Sequence, residues 1–234
     1  MSGSGSVVMI TGAAGNLGRA VAEAFAAQGA RLILVGGHRS SLAHAFPDAP
    51  GDWQLVDVDL TDRDATRQRL GETIANAGRL DALCAIAGGF HMGEAVHEMS
   101  AETWNQMMEV NVQTLLNTVQ AAVPAMLAQG RGRIVTVGAA SARQGVAAMG
   151  AYTAAKSTVM RLTEAMAAEL GPKGINVNGV LPSVIDTPEN RKAMPKADPS
   201  GWVKPADLAA VIRFLGSDEA AAVNGALIPV TGRG

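Results

Sequence analysis

Seven short apolar runs punctuate the chain: Val7–Ile10, Arg31–Val35, Trp53–Val56, Ala82–Ile86, Arg133–Val137, Ile175–Val180 and Ala226–Val230. Each is rich in Val, Ile or Leu and bounded by Gly, Pro, Asn or Asp. Continuous apolar runs of this length predict strands buried on both faces, as in a parallel sheet. Longer segments between them carry apolar residues at helical spacing. Leu17, Val21, Ala24 and Phe25 mark one helix, and Met107, Val110, Leu115 and Val119 a second. Leu162, Met166 and Leu170 mark a third, and Leu208, Val211, Ile212 and Leu215 a fourth. This alternation predicts right-handed βαβ units and an α/β fold of the Rossmann type, a doubly wound parallel sheet of about seven strands with helices on both faces.

One segment departs from the rhythm. Asp186 to Trp202 holds Pro188, Pro195 and Pro199 with mixed charge. It follows the sixth strand, on the carboxyl side of the sheet where such folds bind ligands. It reads as a short lid or substrate loop, with an ordinary surface connection as the alternative. No linker, charge run or repeat divides the chain, so residues 1–234 are read as a single domain.

Composition narrows the function classes. With 48% hydrophobic and 17% charged residues the chain buries a substantial core and is too apolar for disorder. Its 19 Lys+Arg against 21 Asp+Glu give a formal net charge of -2, which offers no general attraction to nucleic acid or an anionic membrane. A single cysteine, Cys84, excludes an intramolecular disulfide and a multi-thiolate metal site, and reads as a small buried hydrophobe. No other metal site is visible. Glycines and polar residues interrupt every stretch that would span a membrane. Residues 1–6 lack the pattern of a signal peptide, so a soluble, cytoplasmic protein acting on a small molecule is expected.

The first strand runs into Thr11-Gly12-Ala13-Ala14-Gly15-Asn16-Leu17-Gly18 and then directly into a helix. Glycines here let the backbone turn tightly and approach a pyrophosphate, which the free N–H groups and dipole of the helix N-terminus attract. In a βαβ unit this placement predicts dinucleotide binding at Gly12, Gly15, Asn16, Leu17 and Gly18. The turn resembles that of the short-chain dehydrogenase/reductase family, usually T-G-x-x-x-G-x-G. Asn16 stands at the middle glycine position, and Gly15 gives the T-G-x-x-G-x-x-G spacing of extended and atypical members.

An acidic side chain at the end of the second strand would bond a ribose 2′-hydroxyl and repel a 2′-phosphate. Here the strand ends Val35-Gly36-Gly37-His38-Arg39, without an acid. Gly36 leaves room, and His38 or Arg39 can reach a phosphate, which favours NADP over NAD. By resemblance Asp59, followed by Leu60, contacts the adenine. Otherwise Asp59 caps the next helix, a role open also to Thr61 or Asp62.

Tyr152 is the only tyrosine, and its spacing from Lys156 puts both on one helical face. A nearby ammonium favours the phenolate, so the tyrosine pKa is expected to fall toward neutrality. The resemblance, which extends over essentially the whole chain, implies Tyr152 as the general acid and Lys156 as the group that tunes it and holds the nicotinamide ribose. It implies that Asn111 kinks its helix and supports a water-linked proton path to the lysine. After the fourth strand, Ala85-Ile86-Ala87-Gly88 stands for the family's Asn-Asn-Ala-Gly, keeping Ala87 and Gly88 at the cofactor. After the sixth, Pro182-Ser183-Val184-Ile185-Asp186-Thr187 matches Pro-Gly-x-x-x-Thr, with Pro182, Ile185 and Thr187 toward the cofactor.

The family's serine, 13 residues before the tyrosine, is Ala139 here. Losing one oxyanion donor can cost about 10² to 10³ in rate. Ser141 is the candidate substitute; a substrate that needs no serine is the other option. The substrate half (Cys84 to Phe90, the serine-free loop and the lid) resembles dihydropteridine reductase, a divergent branch of the family whose conjugated imine substrate demands little oxyanion stabilisation. The reading is an NAD(P)-dependent oxidoreductase that transfers a hydride to or from a carbonyl or conjugated imine. A 3-oxoacyl or sugar-alcohol ketoreductase is the alternative, and a non-catalytic NAD(P)-binding regulator the alternative of another class. The resemblance also implies a homodimer or homotetramer through the helices after strands four and five.

Overall fold

Each of the seven apolar runs forms a strand of one parallel sheet: β1 (Val7–Thr11), β2 (Arg31–Gly36), β3 (Gln54–Asp57), β4 (Ala82–Ala85), β5 (Gly132–Val137), β6 (Ile175–Pro182) and β7 (Leu227–Val230). The order is β3-β2-β1-β4-β5-β6-β7, so the winding reverses between β1 and β4. This computed structural model describes residues 5–233; Gly234 and residues 1–4, part of the segment read for a targeting signal, lie outside the described residues.

Continuous apolar strands are required because both faces are covered. Val7 and Met9 of β1 pack on one side with Leu70, Met126 and Val159, while Val8 and Ile10 pack on the other with Val21, Leu208 and Ile212. The helices are α1 (Asn16–Ala26), α2 (Arg39–Ala45), α3 (Arg63–Ala77), α4 (Ala101–Met108), α5 (Thr114–Gln129), α6 (Gly150–Leu170), α7 (Pro188–Ala193) and α8 (Pro205–Leu215). Asp62, not Asp59, caps α3, accepting from the Ala65 N–H at 3.0 Å.

The pattern from Met107 to Val119 reads as one helix but is two, joined by a π-helical turn at Glu109–Gln113. Asn111 sits within that wide turn and donates to the Met107 carbonyl at 3.0 Å. Single π turns of this kind accommodate an extra residue and gather at functional sites. Met107 and Leu115 belong to the core, while Met108 and Leu116 are only partly buried. Among the described residues no helix is long and apolar enough to cross a membrane. Nor does any group of three or more His, Cys, Asp or Glu there suit a metal ion. Cys84 is buried, and burial pushes its thiol pKa up, which leaves it inert.

Candidate active site

The carboxyl ends of β1 and β4 meet where the winding reverses. Gly12 has a φ of +64°, and a Cβ there would lie 3.0 Å from Ala87 Cα. At Gly18 a Cβ would lie 2.3 Å from the Gly12 carbonyl oxygen, so the first turn of α1 packs directly on the loop that precedes it. Gly15 is the N-cap of α1 without a side-chain capping bond, and the first turn carries no acid. The first N–H groups of α1 therefore lack a side-chain cap and sit beside a turn whose close packing requires glycine, which fits a pyrophosphate. Leu17 is buried beneath the turn. Asn16 is turned outward, donating to Glu189 at 2.7 Å and accepting from Arg19 at 3.0 Å.

On the adenosine side, His38 is the exposed N-cap of α2 and Arg39 its first residue. The Arg39 guanidinium donates to the Leu55 carbonyl. A Cβ on Gly36 would lie 3.2 Å from the Leu42 side chain, so an acid at that position would have to displace Leu42. Asp59 accepts from the backbone and hydroxyl of Thr61, which holds its carboxyl below the usual range, and Leu60 is buried.

Thr11, Ala87, Asn111, Val137 and Lys156 line one small pocket. The Thr11 hydroxyl accepts from the Ile86 N–H at 3.0 Å and the Ala87 N–H at 3.1 Å. Gly88 passes so close to the site that a Cβ would lie 2.7 Å from Asn111 Oδ1 and 3.2 Å from Lys156 Nζ. Lys156 Nζ donates to the Val137 carbonyl at 2.9 Å. Burial pushes its pKa down to about 8, because desolvation penalises the ammonium.

Tyr152 lies in the first turn of α6, one turn before Lys156. Its hydroxyl has no hydrogen-bond partner among the described residues. Since no buried side-chain polar atom there lacks a partner, that hydroxyl opens to solvent. The ring is packed against Phe90, with centroids 4.8 Å apart and planes at 81°. Burial pushes the phenol up to about 12. This overturns the expected fall toward neutrality: desolvation governs both groups, and the ammonium is turned to a backbone carbonyl.

Ala139 is buried in a small cluster with Ala142, Met160 and Leu181, against which Tyr152 and Leu227 pack. It precedes the 3-10 turn Ala140–Arg143. Such a turn repeats every three residues, so Ala139 and Ala142 share the buried face and Ser141 lies off it. The half-buried Ser141 hydroxyl has no partner among the described residues. The loop leading to α6 holds Ala148 at a φ of +59°, a left-handed conformation for a residue with a Cβ. Its carbonyl accepts from the Gly93 N–H at 2.8 Å.

The segment expected to form a lid folds back on the site. Pro182 ends β6, and Ile185 pairs with Val203. Thr187 caps α7, accepting from the Asn190 N–H at 3.2 Å, while Asn190 donates to the Ile185 carbonyl at 2.8 Å. Asp186 and Arg191 form a two-point ion pair at 2.6 and 2.9 Å. Sequence reasoning missed Thr11, Phe90 and Glu189. Each acts across a long sequence separation; Thr11 and Phe90 lay inside motifs the sequence offered, while Glu189 gave no signal.

Comparison with known proteins agrees with this geometry. The family model described as short chain dehydrogenase matches residues 6–198. The chain is 34% identical to 3-oxoacyl-(acyl-carrier-protein) reductase of Thermotoga maritima, over 97% of each chain. It is 32% identical to meso-2,3-butanediol dehydrogenase of Serratia marcescens, covering 97% of this chain and 93% of that one. The solved structure of carveol dehydrogenase from Mycobacterium avium in complex with NAD superposes with a TM-score of 0.86 at 30% identity, covering 96% and 95% of the two chains. This chain belongs to the short-chain dehydrogenase family.

Proposed function

We propose that this enzyme reduces an activated carbonyl or conjugated imine with NAD(P)H, using Tyr152 as its only side-chain proton donor to the substrate. The observation that carries this reading is the buried Ala139, in the cluster against which Tyr152 packs and where a second donor would stand, with Ser141 displaced from that face. A substrate whose electrons are already drawn off by conjugation needs little further oxyanion stabilisation.

NAD(P)H, when bound, supplies the hydride. The N-terminus of α1 and Gly12, Gly15 and Gly18 receive the pyrophosphate, while Ala87, Gly88, Pro182, Ile185 and Thr187 border the nicotinamide side. Tyr152 stays protonated at neutral pH and gives its proton to the oxygen or nitrogen that becomes negative. Lys156, held beside Gly88 with its ammonium on the Val137 carbonyl, would bond the nicotinamide ribose once the cofactor is bound. Asn111 fixes the backbone that Lys156 faces. The absence of an acid from Gly36 to Arg39 supports NADP over NAD, with Arg39 leaving the Leu55 carbonyl to meet the 2′-phosphate. Arg39→Ala should then weaken NADPH more than NADH.

A conventional ketoreductase is the second reading, favoured by the names of the Thermotoga and Serratia relatives. Anaerobic consumption of NADPH and NADH with quinonoid dihydropterin, beside a panel of ketones and diketones, separates the two. Turnover confined to simple ketones would overturn the reading argued from Ala139. The exposed Trp104 and Leu127 on α4 and α5 support a homodimer or homotetramer, which sedimentation velocity tests.

A further inference from the structure

Phe90 occupies an unusual position for a large apolar side chain. It is 58% exposed, yet the backbone on either side of it is fastened. On one side, Gly88 is pressed against Asn111 and Lys156, and a Cβ on Gly89 would lie 3.1 Å from Val110. Both backbone groups of Gly89 are bonded to the Asn111 amide. On the other side, the Gly93 N–H donates to the Ala148 carbonyl and Glu94 bridges to Met149, just before α6. The ring is thus anchored where it stands perpendicular to Tyr152 at 4.8 Å. A core residue would be covered, and a surface residue would not be held so firmly.

The surroundings indicate what such a ring receives. Met92, two residues on in the same loop, is 51% exposed and apolar too. Ala139, Met160 and Leu181 make the buried flank of Tyr152 apolar as well. An anchored aromatic ring beside the proton donor, open on its outer part and with apolar neighbours, suits stacking with a flat ring rather than hydrogen bonding to a hydroxylated chain.

We propose that Phe90 is a specificity-determining residue that stacks with the ring of a planar conjugated substrate and holds the reacting carbonyl or imine beside Tyr152. This deepens the proposed function and rests on it for the identity of the proton donor. Phe90 also covers one side of the Tyr152 ring.

The test uses the full chain loaded with NADP, with pterin, a flat heteroaromatic that is not reduced under these conditions, as the probe. Calorimetry should show pterin binding to the parent, retained binding by Phe90→Trp, and about tenfold weaker binding by Phe90→Leu, the range an aromatic pair contributes. Circular dichroism controls for folding. Equal affinity of the parent and Phe90→Leu, or no binding by the parent, would overturn the proposal. Pterin binding that depends on Phe90, without turnover of any conjugated substrate, would leave this inference standing and remove the redox reading.

Discussion

Asn111 grips Gly89 by both backbone groups: its Oδ1 accepts from the Gly89 N–H at 3.2 Å and its Nδ2 donates to the Gly89 carbonyl at 3.1 Å. The same Nδ2 reaches the Met107 carbonyl, so one buried amide fastens the wide helical turn to the loop after β4. Asn111→Ala leaves these backbone groups without their partner. The expected cost is about 1–3 kcal/mol of stability, seen as a lower urea midpoint with an unchanged slope.

Ala139→Ser restores a donor on the face that carries Tyr152. Turnover of a simple aliphatic ketone should rise, toward the factor of about 10² that one oxyanion donor can contribute. Ser141→Ala should leave the parent rate unaltered. A sharp loss with Ser141→Ala in steady-state kinetics would instead identify Ser141 as the second donor.

Lys156 carries a charge that burial disfavours, with a folded pKa of about 8 against the ordinary 10.5. Below about pH 8 both folded and unfolded chains hold the proton, and the folded chain bears the full desolvation cost. Between about 8 and 10.5 the unfolded chain alone keeps it, so this group's contribution to stability rises by about 1.4 kcal/mol per pH unit. Lys156→Met should therefore flatten the stability profile across that window, as measured by urea denaturation on both sides of pH 8. A parallel profile would show that the ammonium is better solvated than its burial implies.

The Asn16–Glu189 bond joins α7 to the first turn of α1, and Arg19 supports it from behind. All three side chains are at the surface, so the bond is weak and its effect kinetic rather than global. Asn16→Ala should accelerate limited proteolysis within residues 186–202 while leaving the thermal midpoint nearly unaltered.

The strands were legible because burial on both faces leaves an uninterrupted apolar signature, and all seven runs became strands. α3 was harder to read. Two of the four residues it buries are Thr66 and Thr73, whose hydroxyls bond to the Asp59 and Arg69 carbonyls, so its inner face is not marked by apolar periodicity. The pairing of Tyr152 with Lys156 was legible because both lie within two turns of one helix. Their protonation was not, since it depends on burial, which is set by segments distant in sequence such as the loop carrying Phe90 and the end of β5 at Val137. The π turn was hidden for a similar reason: Met107 to Val119 keeps an ordinary helical spacing, and the widening coincides with the reach of Asn111 to a separate loop.

The two bonds that the Thr11 hydroxyl accepts from Ile86 and Ala87 cross the seam where the winding of the sheet reverses. A single hydroxyl thus rivets the two halves of the cleft floor into one plate, and the floor has no hinge of its own. The rim differs: there the 186–202 segment meets the first turn of α1 through the exposed Asn16–Glu189 bond, while its base is held by Ile185 pairing with Val203. Position at the floor is thus fixed by one buried hydroxyl, and contact at the rim by one surface amide.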